Sequence, residues 1–172
     1  MSVELRRHVS GLVSDFAAEY GEIDLIGRRI DCSAETHERL SETFETFGVV
    51  GGAGIRVTEG EKVLLVSYEA ADGWIDPGDS RRPGESYTEC ARRGVREATG
   101  IEAAITDIAQ IHLLLIDDPT GRDPIPNPYV SFRGTYESGT VRPGPDVASV
   151  RWTDEPPEEL LYEELAEHPL LA

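Results

Sequence analysis

The chain is short of cysteine, of lysine and of long apolar runs, and each shortage excludes a class of protein. Cys32 and Cys90 are its only cysteines, too few for a disulfide framework and in no metal-ligand spacing. The longest apolar run, around Ile111–Ile116, falls far short of the ~20 residues that cross a bilayer. The N-terminus lacks the apolar core of a secretory signal. A cytoplasmic protein with no membrane partner is therefore the expectation. Lys62 is the only lysine, and 33 acidic residues face 16 basic ones, for a net charge of −17. Such a surface repels nucleic-acid polymers and anionic membranes. Carboxylates at this density point to a halophilic protein, kept hydrated by its acidic surface. Its melting temperature is expected to rise from low to molar potassium chloride, as the Debye length falls to about 3 Å at 1 M. A flat or falling melting temperature over that range would remove the halophilic reading.

What is present suits one domain with a sizeable core, because the length is 172 residues. Leu5, Val9, Leu12, Val13, Phe16 and Tyr20 recur at helical spacing and predict an amphipathic helix over 3–20. A short strand is expected over 22–30. Ser33 is placed to cap a second helix through Phe47, with Leu40, Phe44 and Phe47 buried. Residues 49–57 and 62–68 predict a hairpin turned at Glu59-Gly60. Further strands are expected over 103–108, 111–117, 129–136 and 148–153, with a long surface loop over 117–128 and a terminal helix over 156–167. Strands, helix, strands, helix fit a mixed sheet between helices.

Residues 74–101 organise the rest. Pro77, Gly78, Pro83 and Gly84 forbid a regular element before Glu85. Ser86 and Glu89 form a capping-box pattern, and Gly100 is placed as a left-handed cap with Ile101 beyond it. This segment resembles the Nudix box of the Nudix hydrolase family, whose pattern is G-x5-E-x7-R-E-U-x-E-E-x-G-U with U aliphatic. Glu85, Arg93, Val95, Glu97, Gly100 and Ile101 match it without a gap from Asp79 to Ile101. Trp74, Pro77-Gly78, Gly84-Glu85-Ser86 and Thr99-Gly100-Ile101 also look like common Nudix sequence. The resemblance implies an α/β fold of the Nudix α/β/α sandwich type. It covers residues 49–172 as a Nudix domain and leaves 1–48 as an N-terminal helical extension packed on it.

The box departs from its pattern at three places. Asp79 replaces the first glycine, Gly94 the glutamate after the arginine, and Ala98 the second glutamate of the pair. Family members hydrolyse a nucleoside diphosphate linked to another group, with magnesium bridging phosphates and box glutamates. The resemblance thus assigns catalytic roles to Arg93 and Glu97, and metal ligation to Glu97, Glu85 and Glu89. Arg82 and Glu85 are the candidates for substrate contact. Arg93 is expected to face inward and orient the glutamates. With Gly94 and Ala98 on one edge of the helix, magnesium or manganese is expected to bind weakly or only together with ligand. Restoring the pattern with Gly94→Glu and Ala98→Glu is expected to raise metal affinity and hydrolysis. A mid-helix glycine costs about 0.5–1 kcal/mol relative to alanine, so something is expected to approach closely at Gly94. Asp79 is expected to sit where the chain needs a positive φ.

Two functions follow from the resemblance. One is a Nudix hydrolase, cleaving a nucleotide-type pyrophosphate with a weakened metal site. The other is an inactive Nudix-fold protein that binds a nucleotide-like ligand or a protein partner. The extension could also serve a homodimer. Tyr68, Tyr129 and Phe132 are candidates for stacking on a base, and His112 is read as a packed or edge histidine.

Overall fold

A computed structural model describes residues 3–48, 50–69 and 73–155, apart from the side chain of Leu5. The helix expected over 156–167 lies outside the described residues. Helix α1 spans Val3–Tyr20, strand β1 Asp24–Asp31 and helix α2 Ala34–Phe47. Strands β2 (Gly52–Glu59), β3 (Lys62–Tyr68) and β4 (Gly78–Ser80) follow, then helix α3 (Tyr87–Thr99). Strands β5 (Ile101–Asp117), β6 (Ile125–Gly139) and β7 (Val147–Thr153) complete the order.

One mixed sheet runs β1-β5-β6-β2-β3-β7, with β4 paired to β2. The β1–β5 and β2–β6 pairs are parallel, whereas β5–β6, β3–β7 and β2–β4 are antiparallel. The expected hairpin closes at Thr58–Val63 and Glu59–Lys62.

Alternation along the strands decides what each face meets. Ile55, Val57, Ile111, Val130 and Phe132 point to one face, where Leu12 and Phe16 of α1 and Ala91 and Val95 of α3 join them in one apolar cluster. Phe16 meets Phe132 edge to face at 5.6 Å. On the other face Leu40 and Phe44 of α2 pack with Ile30, Leu114, Ile116 and Ile125. The layers are therefore α1 and α3, sheet, α2. Phe47 corrects the sequence reading: it is 61% exposed, because the last turn of α2 runs past the apolar cluster before Gly48 stops it in the left-handed region.

Two other boundaries move. The strands expected over 103–108 and 111–117 are one strand, β5, with register shifts after Glu102, Ile105 and Ile108. These irregularities bend a long strand without ending it. The loop expected over 117–128 ends early, since β6 begins at Ile125. Pro126 and Pro128 pair with β5 alone, because β2 joins β6 only from Tyr129. Proline is tolerated where one side of a strand is open.

Residues of the extension take part in the sheet and core. Strand β1 adds a parallel edge to β5, and His8 Nε2 lies 2.8 Å from the Tyr87 hydroxyl at the start of α3.

Candidate functional site

Helix α3 forms where the capping signals place it. Ser86 accepts from the Glu89 amide, and the Glu89 carboxylate accepts from the Ser86 amide at 2.9 Å. Gly100 ends it at φ 76°. Its amphipathic face puts Ala91 and Val95 into the core, and the same phase carries Arg93 inward.

Arg93, with its side chain 8% exposed, is the hub of the box. Its Nε donates to Glu85 Oε1 at 2.6 Å and its Nη2 to Glu85 Oε2 at 3.0 Å. Nη2 also donates to the Ser80 carbonyl at 2.8 Å. Nη1 donates to Asp79 Oδ2 at 2.7 Å and to Glu97 Oε2 at 3.1 Å. One planar fork thus ties β4, the turn before α3 and the end of α3 together. Asp79 corrects the expectation of positive φ. Among the described non-glycine residues only Asp146 has one; Asp79 is extended in β4, opposite Ala53.

The other candidates are drawn into the same network. Arg82 holds Glu97 with two bonds, Nη1 to Oε1 at 3.2 Å and Nη2 to Oε2 at 3.0 Å. The Arg82 amide donates to Glu85 Oε2 at 2.9 Å. The three glutamates read as metal ligands are accordingly occupied: Glu85 by Arg93, Glu97 by Arg82 and Arg93, and Glu89 by the helix cap. Among the described residues, no three His, Cys, Asp or Glu side chains form a group that could hold a metal ion. The divalent ion that Nudix hydrolases generally use therefore does not fit these carboxylates as they stand. Each already faces a cation or a helix amide, and magnesium gives up water reluctantly.

The two replaced positions are closed. A Cβ on Gly94 would lie 2.8 Å from the Asp79 amide nitrogen and 2.8 Å from the Gly78 carbonyl carbon. The close approach expected at Gly94 is therefore the backbone of β4. On the opposite side of β4, the Tyr129 hydroxyl fills the space above Gly54 and Gly78, and the Tyr68 hydroxyl donates to the Gly78 carbonyl at 3.1 Å. Ala98 is buried among Val66, Val147, Tyr68, Ile75 and Val150. Gly94→Glu and Ala98→Glu thus cannot simply restore a site: the first meets backbone, the second an apolar cluster.

Acid should undo this network. Hydrogen bonding from Arg93 holds the Glu85 carboxyl below its ordinary value of 4.5. A depressed acid stabilises the fold above its unfolded pKa, so the contribution is fully present above pH 4.5 and is lost as pH falls through the lower folded value. Urea midpoints are expected to drop below pH 4.5, and Glu85→Gln should flatten that drop. An unchanged slope in the variant would assign acid sensitivity elsewhere.

A cavity of about 320 Å³ opens on the sheet face opposite α3. The alternation that sends Val130 and Phe132 to the core sends Tyr129 and Ser131 here. Gln110, His112 and Leu114 of β5, Asn127 of β6 and Arg28 of β1 line it, with Asp79 and Ser80 of β4 at its border. Arg56 and Asp76 line it as a buried ion pair, Nη2 to Oδ2 at 3.2 Å. Burial pushes the Asp76 carboxyl up, while Arg56 pulls the other way. Of the stacking candidates, Tyr68 and Tyr129 line this cavity and Phe132 is in the core of the other face. His112 is a lining residue. The sequence reading passed over Arg56, Asp76, Gln110, Asn127 and Arg28; the signal was an arginine inside the otherwise apolar 53–57 run and the polar partners of an alternating strand.

A search of curated proteins finds no match. Solved structures do match. A NUDIX hydrolase from Nitrosomonas europaea superposes with TM-score 0.53 and 19% identity over 67% of this chain; the chain spans 65% of its length. A mutator MutT protein from Bacillus halodurans gives TM-score 0.53 and 24% identity over 61% of this chain and 68% of its own. A UDP-X diphosphatase gives TM-score 0.53 and 18% identity over 94% of this chain and 76% of its own. At these identities the likeness is one of fold. The NUDIX domain matches residues 49–170, most of the chain, and so the protein belongs to the NUDIX domain family.

Proposed function

We propose that the protein binds a nucleotide-type ligand in the sheet-face cavity and that the metal-dependent hydrolysis of its family is lost or very slow. One observation carries the reading. Every remaining box glutamate is held by an arginine or by the helix cap, while positions 94 and 98 are filled by backbone contact and apolar packing. The cavity volume lies at the lower end of small-molecule sites, which combine apolar walls with a few fixed polar groups. Tyr129 and Tyr68 offer aromatic walls, and Gln110 and Asn127 offer amides able to read a base edge. Arg82, whose side chain is 58% exposed, lies outside this cavity, in a separate recess that it lines with Glu85, Glu89 and Arg93.

That same exposure favours one competing reading. A phosphate that drew Arg82 away would leave Glu97, which is 42% exposed, held by Arg93 alone through Oε2, with Oε1 open to a phosphate-bound divalent ion. Hydrolysis would then persist with a thin site.

Calorimetric titration of ADP and UDP-glucose without metal, paired with nucleotide release from UDP-glucose in magnesium, separates the two. The titrations and assays belong in both low and molar potassium chloride, to suit the acidic surface. Binding without metal and turnover no faster than the protein-free control is the expected result. Magnesium-dependent turnover that disappears in Glu97→Gln would overturn it in favour of the thin-site hydrolase.

A further inference from the structure

We infer that Asn127 makes the cavity selective for a carbonyl edge, so that its nucleobase is an oxo base such as uracil or hypoxanthine rather than an amino base such as cytosine or adenine. The inference rests on a nucleotide-type ligand occupying the sheet-face cavity.

The charges of the cavity suit a neutral group. Arg56 is held by Asp76, and Asp79 by Arg93. Arg28, Gln110 and His112 have interactions of their own. A base therefore fits the interior better than a phosphate, and neutral hydrogen bonds must do the reading.

Asn127 has a fixed hydrogen-bonding sense. Its Oδ1 accepts from the Gly51 amide at 2.8 Å. An N–H needs an acceptor, so this side-chain amide cannot be turned over. Strand register explains the contact. β2 joins β6 from Gly52, opposite Tyr129, so the Asn127 side chain takes the Gly51 amide just where the ladder has ended. Gly51 is pinned in turn. It sits at φ 84°, a Cβ there would strike the Pro128 carbonyl oxygen, and its own carbonyl accepts from the Arg81 amide at 3.0 Å.

With Oδ1 committed, Asn127 offers the cavity it lines only the two protons of Nδ2. Tyr129 stands two residues on, on the same face of β6 and about 7 Å away, so a base against its ring can turn an edge to Nδ2. The other polar walls discriminate less. The Ser131 hydroxyl rotates to donate or accept, and the Tyr68 hydroxyl is taken by the Gly78 carbonyl. A base carbonyl accepts from Nδ2. An exocyclic amine in the same place sets donor against donor and leaves both unpaired, which costs more than the lost bond.

Calorimetric titration of UDP against CDP, and of IDP against ADP, tests this, with melting temperatures recorded for each variant. The members of a pair carry the same phosphates and the same charge, so neither the net charge of −17 nor salt tells them apart. The wild type should bind the oxo member of at least one pair about fivefold more tightly, the ratio that one neutral hydrogen bond supplies. Asn127→Asp keeps an acceptor for the Gly51 amide and turns the donor into an acceptor. It should weaken both members through its charge and erase or reverse their ratio. Asn127→Ala should bring the ratio near one. A wild type that prefers the oxo member of neither pair, or a preference that survives in a folded variant of either kind, would overturn the inference while leaving nucleotide binding intact. A wild type that binds none of the four would overturn both.

Discussion

Replacing Arg93 with alanine is expected to cost about 3–5 kcal/mol, the range for removing one partner from a buried ion pair. The magnitude follows from what is left behind. Glu85, with a side chain 12% exposed, would lose both of its guanidinium bonds, and the Ser80 carbonyl and Asp79 carboxylate would lose theirs. Water can reach Asp79 and Glu97, which are 47% and 42% exposed, so most of the loss belongs to Glu85. Arg93→Lys should recover only a minor part, because one ammonium cannot reproduce a planar fork that spans three segments. Urea denaturation followed by tryptophan fluorescence measures it. A loss under about 1 kcal/mol, typical of an exposed pair, would mean that the box loop and β4 are held chiefly by apolar packing.

Gly94 should behave opposite to helix propensity. Alanine in a helix interior normally gains about 0.5–1 kcal/mol over glycine. Here the added Cβ meets the Gly78–Asp79 backbone at 2.8 Å, and backbone cannot rotate away as a side chain does. Gly94→Ala is expected to destabilise by about 1–3 kcal/mol, the usual penalty of overpacking, and Gly94→Glu by more. Ala98→Glu adds a carboxylate among Val66, Val147 and Ile75, where its charge lacks a partner and costs several kcal/mol. The double variant should therefore lose its fold before it gains a metal site. Thermal melts and magnesium titration of the three variants decide this. A double variant with the wild-type midpoint and measurable magnesium affinity would show that β4 can retreat from α3 and that the box can be rebuilt.

Sequence by itself determined the elements whose signals are local. The α3 helix was legible end to end, because the capping box, the Ala91–Val95 spacing and Gly100 all act within a few residues of each other. The helix over 3–20, the hairpin at Glu59-Gly60 and the family were legible for the same reason. Those signals could also show that Asp79, Gly94 and Ala98 had departed from the box pattern, but not what had replaced it. Whether Gly94 faces space, ligand or backbone depends on β4, which approaches α3 only through its pairing with β2. Whether Glu85 and Glu97 are ligands or ion-pair partners depends on where Arg82 and Arg93 reach, a question of side-chain geometry across a turn. The cavity belongs wholly to tertiary structure. Its walls come from β1, β5, β6, β2 and β4, strands distant in sequence whose polar residues share a face only once register is fixed. Arg28 next to Arg29 reads as an ordinary charged pair in the chain. Parallel pairing with β5 separates them, turning one toward the cavity and leaving the other on Asp117, because a strand sends neighbouring side chains to opposite faces and only the sheet decides what each face meets.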